Sequence, residues 1–204
     1  VIVNTVVLVQ TTFGLTEKAT TWAFGLFGLG SMLAAFALPK ILDKLNDRAV
    51  MLSGTVVLVV GLLSGYFIST YAWLLALWFI LGIGYSVSQT PTGRLIRKSA
   101  SSENRAALFA AQFAFSHACW LITYPLVGWL STNFGTLITF VPMAFIALVS
   151  MVVAFVLWPQ KDDLVLEHTH PDLPQDHEHL LQHNHKGKHE HEFMIDRYHQ
   201  HWPK

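Results

Sequence analysis

The sequence predicts an all-α protein that crosses a membrane several times and ends in a polar, histidine-rich segment. Three observations predict it. Of 204 residues, 52% are hydrophobic and only 13% are Asp, Glu, Lys or Arg, about half the charge of an ordinary soluble domain. The uncharged residues come in runs of membrane length: 21 residues over 19–39, 45 over 49–93 and 55 over 106–160. The charge then changes character near Trp158-Pro159. Residues 1–158 carry 8 basic and 4 acidic side chains, whereas 159–204 carry 5 and 9, together with 10 of the 11 histidines. Two domains follow, 1–158 and 159–204.

A hydrocarbon core takes roughly 20 apolar residues per helix. Ser69-Thr70-Tyr71 divides the second run, and Ser131-Thr132-Asn133-Phe134-Gly135 divides the third. Five spans result, at 19–39, 49–68, 72–93, 106–130 and 136–158. Residues 1–13 are apolar but too short to cross, and they read as the end of a sixth span whose beginning lies upstream. The run Val56-Val57-Leu58-Val59-Val60 has strand-forming residues, but a barrel strand alternates and these runs are apolar all round. Small residues mark expected packing faces: Ala106, Ala110, Ala114 and Ala118 form one i+4 ridge, and Gly61 and Gly65 form a second.

The connectors orient the spans. Lys40, Lys44 and Arg48 lie in one; Arg94, Arg97, Lys98 and Arg105 lie in another. Those at 69–71 and 131–135 have no basic residue, and the one at 14–18 has only Lys18, beside Glu17. Basic connectors face the cytoplasm, so the tail from 159 onward is expected there too, in a multi-pass protein of the bacterial inner (plasma) membrane. A single cysteine, Cys119, excludes a disulfide framework and a cysteine zinc site. Balanced charge argues against a nucleic-acid partner. There is no paired acid and base, nucleophile motif or phosphate loop, so an enzyme is not expected, and no cofactor is required.

Within the spans there is no Asp, Glu, Lys or Arg. His117 is the one strongly ionisable side chain at membrane depth, on a helical stripe with Phe113, Trp120, Leu121 and Tyr124. It either binds or relays, or packs as a hydrogen-bonded residue. Asn4, Gln10, Gln89, Thr90 and Gln112 are the other polar candidates for a substrate pathway, with interhelical hydrogen bonding as the competing role.

The connector Pro39-Lys40-Ile41-Leu42-Asp43-Lys44-Leu45-Asn46-Asp47-Arg48 resembles the cytoplasmic loop motif of the major facilitator superfamily, G-x-L-x-D-R-x-G-R-R. Asp43, Lys44 and Arg48 match its acidic, first basic and last basic positions. Pro39, Asn46 and Asp47 depart from it. The resemblance covers 1–158 and implies spans seven to twelve: the C-terminal six-helix bundle of a major facilitator fold, with its first helix truncated and an N-terminal six-helix half as partner. It implies alternating access, with Asp43, Lys44 and Arg48 gating. The tail resembles that of the family's metal-efflux branch.

The tail histidines fall into five His-x-His pairs: His168/His170, His177/His179, His183/His185, His189/His191 and His199/His201. In extended backbone, residues i and i+2 share a side, so each pair can offer two imidazoles to nickel, cobalt or zinc. Asp172, Asp176, Glu178, Glu190 and Glu192 add oxygens. Low apolar content and Pro171, Pro174 and Pro203 predict a largely disordered tail without ligand. The expected cargo is a divalent metal ion leaving the cytoplasm. A small organic solute with a regulatory tail, and a membrane-anchored metal sensor or buffer without flux, are the alternatives.

Overall fold

A computed structural model describes residues 2–101, 103–158, 165–168, 184–185 and 188–192. Helix α1 (Ile2–Val6) runs into a π-helical segment (Val7–Thr12). Then come α2 (Glu17–Leu42), α3 (Asp47–Gly65), α4 (Tyr71–Gln89), α5 (Thr92–Ser99), α6 (Arg105–Phe134) and α7 (Phe140–Leu157). Five helical stretches are long and apolar enough to cross a membrane: Glu17–Leu42, Asp47–Gly65, Tyr71–Ser99, Arg105–Phe134 and Phe140–Leu157. The protein is a multi-pass, α-helical integral membrane protein. Its chain divides into two compact units, 1–92 with 114–159, and 93–113 with 160–204.

In the first unit, α4 packs against α2 and α3, and α3 packs against α7. The helices start and stop where local chemistry supplies the orphan backbone groups with partners. The Asn46 side chain accepts from the Ala49 N–H at 2.7 Å, and the Thr70 hydroxyl accepts from the Trp73 N–H at 3.2 Å. Both are N-caps, each worth about 1 kcal/mol. Gly14, at φ +65°, turns the chain from the π-helical segment toward α2. The wider π turn, closed by Phe13 N–H on the Leu8 carbonyl at 3.1 Å, lets the consecutive residues Leu8 and Val9 both be fully buried. They join Ala23, Ile68, Leu74, Leu77, Trp78, Leu81 and Phe140 in the larger core. Leu38, Leu42 and Val50 form a smaller one between the end of α2 and the start of α3.

Glycines set the closest approaches. A Cβ on Gly30 would run into the Phe79 carbonyl oxygen, and one on Gly82 would run into that of Phe27, so α2 and α4 meet backbone to backbone. A Cβ on Gly54 would lie 2.6 Å from the Ser88 amide nitrogen, so α3 also comes close to the α4 backbone. Gly61 and Gly65, expected to form a packing face, are buried and do so, against the Leu81 side chain and the Phe140 ring rather than against backbone. The expected alanine ridge on α6 is corrected. Ala106, Ala110, Ala114 and Ala118 are exposed, and no described residue of α6 is buried. Small side chains permit a close approach, but they do not by themselves supply a partner.

In the second unit, α5 ends in Arg97 and Lys98, cations that suit the negative end of a helix. Among the described residues of the same unit, β1 (Val165–His168), β2 (Asn184–His185) and β3 (Lys188–Glu192) pair antiparallel in the order β1-β3-β2.

Gly82→Ala is expected to lower stability by about 1–3 kcal/mol through overpacking. Gly28→Ala, with nothing within 4 Å of the added carbon, is expected to melt like the parent. Thermal melts of the detergent-solubilised variants check this; equal melting points would show that α2 and α4 do not meet at Gly82.

Candidate functional site

The basic connector between α2 and α3 is short because both helices end abruptly around it. Asp43 is the C-cap residue of α2, and it and Lys44 are exposed. The acid that the family motif offers therefore sits at the negative end of a helix. The acid at a positive helix end is Asp47, in the first turn of α3 and only 2% exposed. Sequence reasoning counted Asp47 merely as a departure from the motif. The signal available was its place directly after a capping Asn, where an acid favours the helix dipole.

Arg48 leaves the same turn of α3 in a different direction. Its Nη2 donates to the Phe155 carbonyl at 2.8 Å, and its guanidinium carbon stands 4.8 Å from the centre of the Phe155 ring. Phe155 lies in the last turn of α7, which has no basic residue of its own. Arg48 thus serves a neighbouring helix as both hydrogen-bond donor and terminal cation, with a cation–π contact added.

The polar candidates within the spans have specific surroundings. The Asn4 amide is buried and donates to the Thr139 hydroxyl at 2.9 Å, which ties α1 to the start of α7. Next to it, Trp78 Nε1 donates to the Thr5 hydroxyl at 3.0 Å and ties α1 to α4. Gln10 donates to the Thr20 hydroxyl at 3.5 Å. Gln89 ends α4 and is exposed, and the Thr90 hydroxyl shares a hydrogen bond with that of Ser86 at 3.2 Å. Gln112 and His117, both half-buried, lie on α6. The structure therefore spreads these residues over α1, the π-helical segment, α4 and α6, and Asn4 and Gln10 bond to hydroxyls on other elements rather than to each other.

On α6 the His117 ring is 4.7 Å from that of Trp120, and Trp120 stacks on Tyr124 at 6.1 Å with 7° between planes. Three rings thus form a ladder along one helix face. Cys119 is exposed.

Among residues whose side chains are described, no three of His, Cys, Asp or Glu come together to hold a metal. Of the expected metal ligands, His170, His177, His179, His183, His199 and His201 lie outside the described residues. His168, His185, His189 and His191 lie in the strands. Their backbone pairing is defined: His168 opposite His189, His191 opposite Leu166, and His185 opposite Lys188.

Asn46→Ala is expected to cost about 1 kcal/mol. Arg48→Met, which keeps an apolar stem but no donor, is expected to cost about 1.5–3 kcal/mol. Both are read from thermal or denaturant unfolding in detergent. An Arg48→Met protein as stable as the parent would mean that the contact with Phe155 contributes nothing.

Residues 1–185 match the family model described as Major Facilitator Superfamily. No curated protein and no solved structure matches the chain.

Proposed function

The chain belongs to the Major Facilitator Superfamily, and we propose that it is half of an exporter that removes a divalent metal ion, of nickel, cobalt or zinc type, from the cytoplasm by alternating access. Membership makes it a secondary transporter of the membrane and not an enzyme. The finer reading takes the bundle as spans seven to twelve, completed by an N-terminal half, in the bacterial plasma membrane.

One observation carries the proposal. The Arg48 bond to the Phe155 carbonyl brings the end of α7 to the level of the basic connector. The histidine-rich tail then starts on the side that basic residues mark as cytoplasmic, the side from which an exporter collects. Imidazoles with carboxylates nearby suit borderline divalent ions. Asp43, Lys44 and Arg48 would gate the cytoplasmic end as the halves rock. Asn4, Gln10, Gln89, Gln112 and His117 would contribute to the path. The spans carry no carboxylate beyond Glu17 and Asp47 in the first turns of α2 and α3, so any proton coupling deep in the bundle falls to His117 or to the other half.

The His117–Trp120–Tyr124 ladder favours a second reading, an aromatic or cationic organic cargo with a regulatory tail.

Inverted vesicles containing the full-length protein are expected to accumulate Ni²⁺. Deleting 159–204 should reduce uptake at low Ni²⁺ more than at saturating Ni²⁺. Asp43→Asn should slow uptake severalfold without changing membrane abundance. Ni²⁺ binding without uptake would indicate a sensor or buffer, and uptake of an organic dye without Ni²⁺ would indicate the organic cargo.

A further inference from the structure

Two connectors carry most of the positive charge between the spans, and they arrange it differently. Between α2 and α3, Lys40, Lys44 and Arg48 alternate with Asp43 and Asp47. Between α4 and α6, Arg94, Arg97, Lys98 and Arg105 are accompanied by one acid, Glu103, and α5 itself contains none. Positive charge on one side of the membrane sets topology, but topology does not require the cations to share a helix face. In α5 they do. Arg94, Arg97 and Lys98 follow i, i+3, i+4 spacing, while Leu95 and Ile96 fall on the opposite side. Like charges at that spacing oppose helix formation, and no acid within α5 relieves them.

Contacts near both ends place this helix. Arg105, the first residue of α6, donates from Nη2 to the Ala100 carbonyl, just past the end of α5, at 3.4 Å. Near the start of α5, a Cβ added to Gly93 would lie 4.0 Å from the ring of Phe109, in the second turn of α6. α5 therefore lies beside the first turns of α6, where that span enters lipid, instead of standing off in water. Leu95 and Ile96 are half-buried and Arg97 is exposed. Arg94 and Lys98 are half-buried and have partners in the protein as well, so Arg97 is the most open of the three cations.

We propose that α5 is a docking helix for anionic phospholipid: its basic face, led by Arg97 and flanked by Arg94 and Lys98, with Arg105 at its end, holds acidic headgroups of the leaflet that basic connectors mark as cytoplasmic. A basic face opposite an apolar one, at the level where a span enters lipid, is the pattern of a helix lying in the interfacial plane. The negative surface of that leaflet attracts Lys and Arg held close to it, and the planar fork of Arg matches a phosphate. The headgroups also supply the counter-charge that α5 lacks. Acidic lipid thereby becomes a partner of the connector that joins α4 to α6. The inference needs only the multi-pass fold and holds for any cargo.

The test uses the purified full-length protein in detergent, with dioleoyl phosphatidylglycerol and dioleoyl phosphatidylcholine as probes and native mass spectrometry as readout of bound lipid. The parent is expected to hold the anionic lipid about tenfold more tightly than the zwitterionic one, and by a smaller margin as salt is raised. Arg97→Gln should reduce that preference about fivefold, the scale of one cation near an anionic surface. Arg94→Gln/Arg97→Gln/Lys98→Gln should abolish it. Arg94→Lys/Arg97→Lys keeps the charge and should keep most of the preference, which separates lost lipid binding from lost folding. Lys40→Gln/Lys44→Gln, on the other basic connector, should leave it unchanged. No preference in the parent, or an equal loss in the Lys40→Gln/Lys44→Gln protein, overturns the docking helix. Displacement of the anionic lipid by inorganic phosphate would assign the face to a soluble anion and overturn it too.

Discussion

An unbonded peptide N–H or C=O in hydrocarbon costs several kcal/mol, and this cost shapes the bundle from end to end. It makes every span a helix and moves the difficulty to the helix ends, where orphan groups remain. Asn46 and Thr70 close the starts of α3 and α4 locally. The end of α7 has neither a glycine cap nor a basic residue in its last turn, so Arg48 closes it from another helix. One residue thereby satisfies a backbone group, complements a dipole and joins α3 to α7.

Lipid also weakens the usual reason for helices to associate, because tails are as apolar as side chains. What remains is close contact and hydrogen bonding, and the structure uses both. Gly30 and Gly82 let α2 and α4 touch backbone to backbone. Asn4–Thr139 and Trp78–Thr5 fasten the short first segment to α7 and α4. The π-helical turn after it then buries Leu8 and Val9 together in the core around Trp78.

The connector between α2 and α3 shows how a family pattern can be altered and still be structured. Asn46, where the motif has glycine, becomes an N-cap. Asp47, where the motif has a base, lies buried in the first turn of α3. Arg48, which keeps the motif's charge, works on α7. Asn46 and Asp47, which depart from the pattern, are thus woven into a helix end as firmly as Arg48, which matches it, while the matching Asp43 and Lys44 remain at the surface.

Much of this was legible in the amino-acid order, because lipid selects on local properties. Run length, absence of charge and the turn at 69–71 suffice to find five helices long enough to cross, and periodicity rules out alternating strands. Asn46 as a cap could be read from its type and place. The partners could not. The sequence allows Ala106, Ala110, Ala114 and Ala118 to pack, yet they are exposed, while Gly30 and Gly82 make the closest contact, since which small residues meet depends on how helices distant in sequence align. The same holds for Arg48 finding Phe155, 107 positions away, for the burial of Asp47, and for His168 standing opposite His189. Pairing across the fold is set by three-dimensional register, which no local pattern encodes.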